Sequence, residues 1–243
     1  LWLEPDTGVK ERRPVPGLDD VAVTSLTVDG DNLWIGTRHH GLLRYNTVTQ
    51  AVENYIYDES IPYAVISNDI NDVYRTSGGE IFVLTTWGLT KYNAEKDNFV
   101  TLKEIGSHTP FVAMQEDSRG RLWAATASDG LYCRDMEGEM FHGFDSPALG
   151  HRPLSELYLD SRGILWAVQG NKVYFLDENS DDFAPLAISM SREHPVMFLQ
   201  EGNNGDIWIG TCESLIRVTA DDHIPTYFAY RAGEHVNSAP AGA

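Results

Sequence analysis

Leu33-Trp34-Ile35-Gly36-Thr37 is the stretch on which the fold is decided. It returns as Ile81-Phe82-Val83-Leu84-Thr85, Leu122-Trp123-Ala124-Ala125-Thr126, Leu165-Trp166-Ala167-Val168 and Ile207-Trp208-Ile209-Gly210-Thr211. The aromatic members stand at 34, 82, 123, 166 and 208, in steps of 48, 41, 43 and 42 residues. Self-similarity at this period marks a repeat architecture, and steps of about 40–45 residues suit four-stranded propeller blades.

Each copy brings the same neighbours. An apolar-alternating run precedes it, closed by a turn such as Asp29-Gly30-Asp31-Asn32, Ser77-Gly78-Gly79-Glu80, Asp117-Ser118-Arg119-Gly120, Asp160-Ser161-Arg162-Gly163 or Gly202-Asn203-Asn204-Gly205. Gly, Asn and Asp supply the positive φ angles that tight hairpins need. A short loop and another strand follow, as in Gly41-Leu42-Leu43-Arg44-Tyr45 and Gly88-Leu89-Thr90-Lys91-Tyr92. A polar turn and a more polar fourth strand close the unit. The expected fold is therefore all-β, a β-propeller of four-stranded antiparallel meanders. Period-two alternation puts the large aromatics on sheet faces that neighbouring blades cover, so four Trp and one Phe at equivalent positions read as core.

Five complete repeats are expected, at about 20–57, 67–102, 110–144, 153–186 and 195–228. Residues 1–17 match the third and fourth strands of a blade, and 231–243 match the start of another. Residues 1–243 are thus expected to form one propeller segment, part of a larger ring.

Composition agrees with this class. Apolar residues make up 42% of the 243, aromatics 11%, and glycine is frequent at 21 residues, as many turns and large side chains in short strands require. The formal charge of −18, from 36 acids against 18 bases, argues against a nucleic-acid or anionic-membrane partner. No apolar run is long enough for a membrane-spanning helix in this segment. The chain starts at Leu1 without Met or a signal-peptide pattern, as a processed or cut segment would. Cys133 and Cys212 lie two repeats apart, so a disulfide between them is not expected.

In such a repeat, the loops after the second strand and the connections between blades open on one face, where a rigid scaffold commonly carries function. The second-strand loops hold Arg38, His39, His40, Trp87, Asp129, Asn171 and Glu213. The connections hold His108, His151, Arg152 and His194. These side chains suit a sugar: Trp87 offers a stacking surface, and the polar groups suit hydroxyls. His108, His151 and His194 recur in steps of 43 residues, but repeat symmetry explains that spacing, so no metal is expected. His39 and His40 are adjacent on an extended chain and point apart. No cofactor and no catalytic residue are expected either. The sequence has no Gly-x-Ser-x-Gly elbow, no His-Glu-x-x-His and no phosphate loop, and acidic pairs such as Asp19-Asp20 and Asp181-Asp182 read as solvated turns.

The repeat Asp-x-x-Gly-x-Leu-Trp-Ile-Gly-Thr, then Gly-Leu, then Arg-Tyr, resembles the regulator-propeller repeat. Asp29–Tyr45, Asp117–Arg134 and Asp160–Phe175 carry the likeness most clearly. Repeat five has Gly202 in place of the Asp, and repeat two has Phe82 for Trp and Leu84 for Gly. That repeat builds the periplasmic sensor regions of hybrid two-component systems of gut Bacteroidetes. Members carry two propellers, a β-sandwich, one membrane span, a histidine kinase and a DNA-binding regulator. By resemblance, this segment is a non-enzymatic part of a periplasmic ectodomain. It would bind an oligosaccharide, work with the remaining blades and domains of its protein, and act as a homodimer in the intact sensor. Two other classes stay open. One is a propeller lyase of the streptogramin-lyase type, although those tend to show Leu-Trp-Phe-Thr-Glu where repeats one and five have Gly-Thr. The other is a propeller that binds protein.

Overall fold

The structure is a computed structural model. It describes residues 2–3, 10–11, 15, 18, 20–105, 108–135, 138, 140–177, 181–188, 194–220 and 223–229. The segment 231–243, expected to begin a further blade, lies outside the described residues.

The chain is all-β, with five four-stranded antiparallel sheets and one 3₁₀ turn at Lys103–Ile105 among the described residues. It divides into two compact units. The first, residues 1–145 with 150–154, opens with the short pair β1 (Trp2–Leu3) and β2 (Lys10–Glu11). Blade one follows as β3 (Val23–Asp29), β4 (Asn32–Thr37), β5 (Leu42–Asn46) and β6 (Val52–Tyr55). Blade two is β7 (Ile70–Arg75), β8 (Ile81–Thr85), β9 (Leu89–Asn93) and β10 (Asn98–Thr101). Blade three is β11 (Phe111–Glu116), β12 (Leu122–Thr126), β13 (Leu131–Arg134) and β14 (His142–Phe144). The second unit, residues 146–149 with 155–243, holds blades four and five. Blade four is β15 (Glu156–Leu159), β16 (Leu165–Gln169), β17 (Lys172–Asp177) and β18 (Asp182–Pro185). Blade five is β19 (Phe198–Glu201), β20 (Ile207–Gly210), β21 (Ser214–Val218) and β22 (Pro225–Ala229). Every sheet is a meander in chain order.

The repeated aromatic is what joins one blade to the next. Trp34 is fully buried among Val73, Ile81, Val83 and Phe99 of blade two. Phe82 does the same against Met114, Leu122 and Phe141 of blade three, and Trp166 against Leu199, Ile207, Ile209 and Ile216 of blade five. Trp208 departs from this pattern, because it is only half-buried. Ile207 and Ile209 alternate with it and face blade four, so Trp208 stands on the other side of its sheet. Phe198 and Phe228 are exposed on that same side, which the register sets by pairing Phe198 with Gly210 and Phe228 with Leu215. The small residue of the motif has a steric reason here: a Cβ on Gly210 would lie 2.0 Å from the Phe198 ring.

The Asp of the turn serves the Trp six residues later. Asp117 accepts the Trp123 Nε1–H at 2.9 Å, and its other oxygen accepts the amides of Arg119 and Arg121. Asp160 repeats the arrangement with Trp166 at 3.0 Å and the amides of Arg162 and Ile164. One carboxylate thus closes a tight turn and satisfies an indole N–H that burial takes from water. In blade one the link is absent: among the described residues Trp34 Nε1 has no hydrogen-bond partner, and Asp29 pairs with Arg75 at 2.8 Å.

Candidate functional site

The threonine that ends the second strand shapes the loop behind it. Thr37 Oγ1 donates to the Gly41 carbonyl at 2.6 Å, Thr85 Oγ1 to Gly88 at 2.9 Å, and Thr126 Oγ1 to Gly130 at 2.9 Å. The same oxygens accept loop amides, from Trp87 and Gly88 at Thr85 and from Asp129 at Thr126. Glycine is required where the loop turns back: Gly41 has φ +79°, and a Cβ there would meet the Tyr55 carbonyl at 2.3 Å.

Each connection leaving a blade returns over that blade's own second-strand loop. The Gly41 amide donates to the Asn68 carbonyl, and the His108 amide to the Trp87 carbonyl, both at 3.0 Å. In blade three the Leu154 amide reaches the Thr126 carbonyl at 2.8 Å, and in the second unit the Val196 amide reaches the Gly170 carbonyl at 2.9 Å. Within each unit, the two loop sets expected to carry ligand residues are therefore side by side.

The densest grouping lies between blades one and two. The first strands of blades one to three each carry a register shift near their start, at Val23/Ser25, Ile70/Asp72 and Phe111/Ala113. Such bulges re-aim a side chain out of the sheet's regular alternation. The two extra residues Thr24 and Asn71 line a cavity of about 220 Å³ together with Arg38, His39, Asp69, Ile70 and Thr86. Asn71 is fixed by donating Nδ2–H to the Phe111 carbonyl at 2.7 Å. Asp69 ties both loops: its Oδ1 accepts the His39 amide at 2.9 Å and lies 2.5 Å from His39 Nδ1, while its carbonyl accepts the Thr86 amide at 3.2 Å. His39 is held at φ +70°, an uncommon conformation for a residue with a Cβ. His40 turns away, its Nδ1 3.0 Å from the Arg38 carbonyl.

One residue beyond Thr86, the Trp87 ring stands 44% exposed. It is braced by Tyr57, centroids 5.6 Å apart at 71°, and by His108 at 5.7 Å and 52°. Tyr57 is in turn held by its amide, which donates to Asn68 Oδ1 at 2.7 Å. Along the long connection between these blades, Tyr57, Tyr63, Ile61, Phe99 and Lys103 line a wider groove of about 770 Å³.

The remaining expected residues have other neighbours. Asp129 accepts from the Tyr132 hydroxyl at 2.9 Å, and burial together with this bond pushes the phenol up to about 12. His151 is 3.9 Å from Asp145 and exposed, as is Arg152. In the second unit His194 lies 3.2 Å from Glu213, and Asn171 is half-buried. The three histidines at equal spacing thus take three different neighbours. Asp69, Thr24 and Asn71 were not expected at the site. A bulge and a carboxylate bridging two loops leave no periodic mark, although the unmatched polar residues at the first-strand start are visible in Thr24 and Asn71.

No protein-family model matches the chain, and no curated protein matches it by sequence. Among solved structures it is similar to an extracellular domain from B. thetaiotaomicron described as that of the one-component system BT4673. The TM-score is 0.72 at 16% identity, covering 90% of this chain and 32% of that one. A domain of the same organism described as that of the hybrid two-component system BT3049 gives a TM-score of 0.69 at 17% identity, covering 92% and 30%. Virginiamycin B lyase of Staphylococcus aureus gives 0.67 at 15% identity, covering 88% and 72%. The chain spans about a third of the length of the two B. thetaiotaomicron domains. It has the four-stranded antiparallel blades of a β-propeller and shares its fold with those extracellular domains.

Proposed function

We propose that this chain is a propeller segment of an extracytoplasmic, periplasmic sensor ectodomain and that it recognises an oligosaccharide through the loops between blades one and two. The observation that carries this reading is the exposed Trp87 ring, braced by Tyr57 and His108 beside a cavity lined with Arg38, His39, Asp69 and Asn71. An aromatic face next to a few fixed polar groups is the chemistry a pyranose ring asks for. The fold likeness to two-component ectodomains supports the sensor setting. Binding would signal by favouring one arrangement of domains or subunits over another, which requires different affinity for the two. The exposed side of blade five, with Trp208, Phe198 and Phe228, is the seat of a further blade, because Trp34, Phe82 and Trp166 are each covered in that way.

A second reading is a propeller lyase, favoured by the likeness to virginiamycin B lyase. A glycan screen with calorimetry on the intact ectodomain separates the two. Stoichiometric binding of an unchanged oligosaccharide is expected. Turnover of virginiamycin B, or of the bound glycan, would replace the sensor reading with the lyase.

A further inference from the structure

Six of the described arginines of this acidic chain are spent on its own carboxylates. Arg44 pairs with Glu53 and Asp97, Arg75 with Asp29, Arg121 with Asp117, Arg134 with Glu80, Arg162 with Asp160 and Arg217 with Asp206. Arg38, like the exposed Arg152, stands outside this pattern. Its guanidinium has no ion-pair or hydrogen-bond partner among the described residues, although acids outnumber bases two to one in the sequence. It lies on the wall of the 220 Å³ cavity. The acid lining that cavity, Asp69, already pairs with His39 through both the backbone amide and the ring. Trp87 follows Thr86, a residue of the same wall.

We propose that this cavity is a subsite for the carboxylate of a uronic acid, with the guanidinium of Arg38 taking the carboxylate and the exposed face of Trp87 stacking a neighbouring pyranose. This rests on the oligosaccharide reading above and names the sugar class. The planar guanidinium matches a carboxylate with two parallel N–H donors, which a hydroxyl cannot reciprocate. Asn71, Thr24 and Thr86 supply neutral donors and acceptors for hydroxyl groups around it. One cation on the cavity wall of a strongly negative protein suits a ligand of low charge density, because a polysulfated chain would be repelled by the surrounding acids.

The test is calorimetric titration of the chain with oligogalacturonide, glucuronate-bearing xylan and alginate oligosaccharides. Each is run beside its methyl-ester or neutral counterpart. At least one acid form should bind about tenfold more tightly than its uncharged counterpart, the difference a charge-assisted bond supplies. Arg38→Gln should erase that preference while leaving the uncharged affinity in place, and Arg38→Lys should restore part of it. Trp87→Ala should weaken both forms alike. Both side chains are exposed, so the variants keep the fold, which circular dichroism checks. Binding of neutral glycans only, or an acid preference that survives Arg38→Gln, overturns the uronate assignment and leaves the sugar reading standing. Failure of every glycan, acidic and neutral, overturns both.

Discussion

Removing the carboxylate of Asp117 should destabilise blade three through one indole. Trp123 is wholly buried, and its Nε1–H is satisfied by Asp117 Oδ2 at 2.9 Å. Asp117→Ala removes the acceptor of that buried donor and of two turn amides, which costs about 2–4 kcal/mol given 1–3 for a buried group that loses its hydrogen bond. Trp123→Phe removes the donor and part of the ring, at a cost of about 2–3 kcal/mol from the lost bond and the gap left behind. In that variant Asp117 keeps Arg121 Nε at 2.7 Å, so no charge is orphaned. The double variant should therefore lose less than the sum, with a coupling of about 1–3 kcal/mol. Urea denaturation followed by far-ultraviolet circular dichroism reads each difference as a midpoint shift. Asp29→Ala with Trp34→Phe is the internal control, because among the described residues that indole N–H has no hydrogen-bond partner and Asp29 serves Arg75. Additivity at Asp117/Trp123, or equal coupling in both blades, would refute the account of the motif.

Two further outcomes follow from buried or exposed groups that the repeat pattern does not mark. Burial raises the carboxyl of Asp72 from 3.8 to about 6, so the fold prefers it protonated and stability from this group is greatest below about pH 4 and is lost as pH rises through 6. Asp72→Asn keeps an acceptor for the Val73 amide and should stabilise the chain by up to about 3 kcal/mol at pH 8 and hardly at all at pH 4, so an equal gain at both would contradict the burial argument. The exposed apolar side of blade five should make the chain self-associate in sedimentation velocity, and Phe228→Lys should reduce that association; a monomer at every concentration would remove the case for a missing blade.

The blades were legible because they repeat. Trp34, Phe82, Trp123, Trp166 and Trp208 marked the second strands, and the Gly, Asn and Asp turns marked the hairpins. Burial of four of the five aromatics followed from period-two alternation alone. Trp208 did not follow, because its burial depends on what covers blade five rather than on its own strand. The candidate site was legible only as a set of loops. Repeat symmetry gave Arg38, His39, Trp87 and His108 equal standing with Asp129, Asn171 and Glu213. Contacts between loops then separated them: Asp69 joins two loops through its side chain and its carbonyl, and Tyr57 reaches Trp87 across a long connection. Such contacts join residues far apart in sequence with no fixed spacing. Equal spacing of His108, His151 and His194 likewise said nothing of their neighbours, which are Trp87, Asp145 and Glu213.

The most direct test of ligand recognition is amide hydrogen exchange on the chain with and without the best-binding oligosaccharide from the glycan screen. Protection is expected at residues 38–41, 68–71 and 86–88, the segments that meet at Asp69, with little change in the loops of blades four and five. Protection confined to the second unit, or saturating binding with no change at these three segments, would contradict the placement of the site.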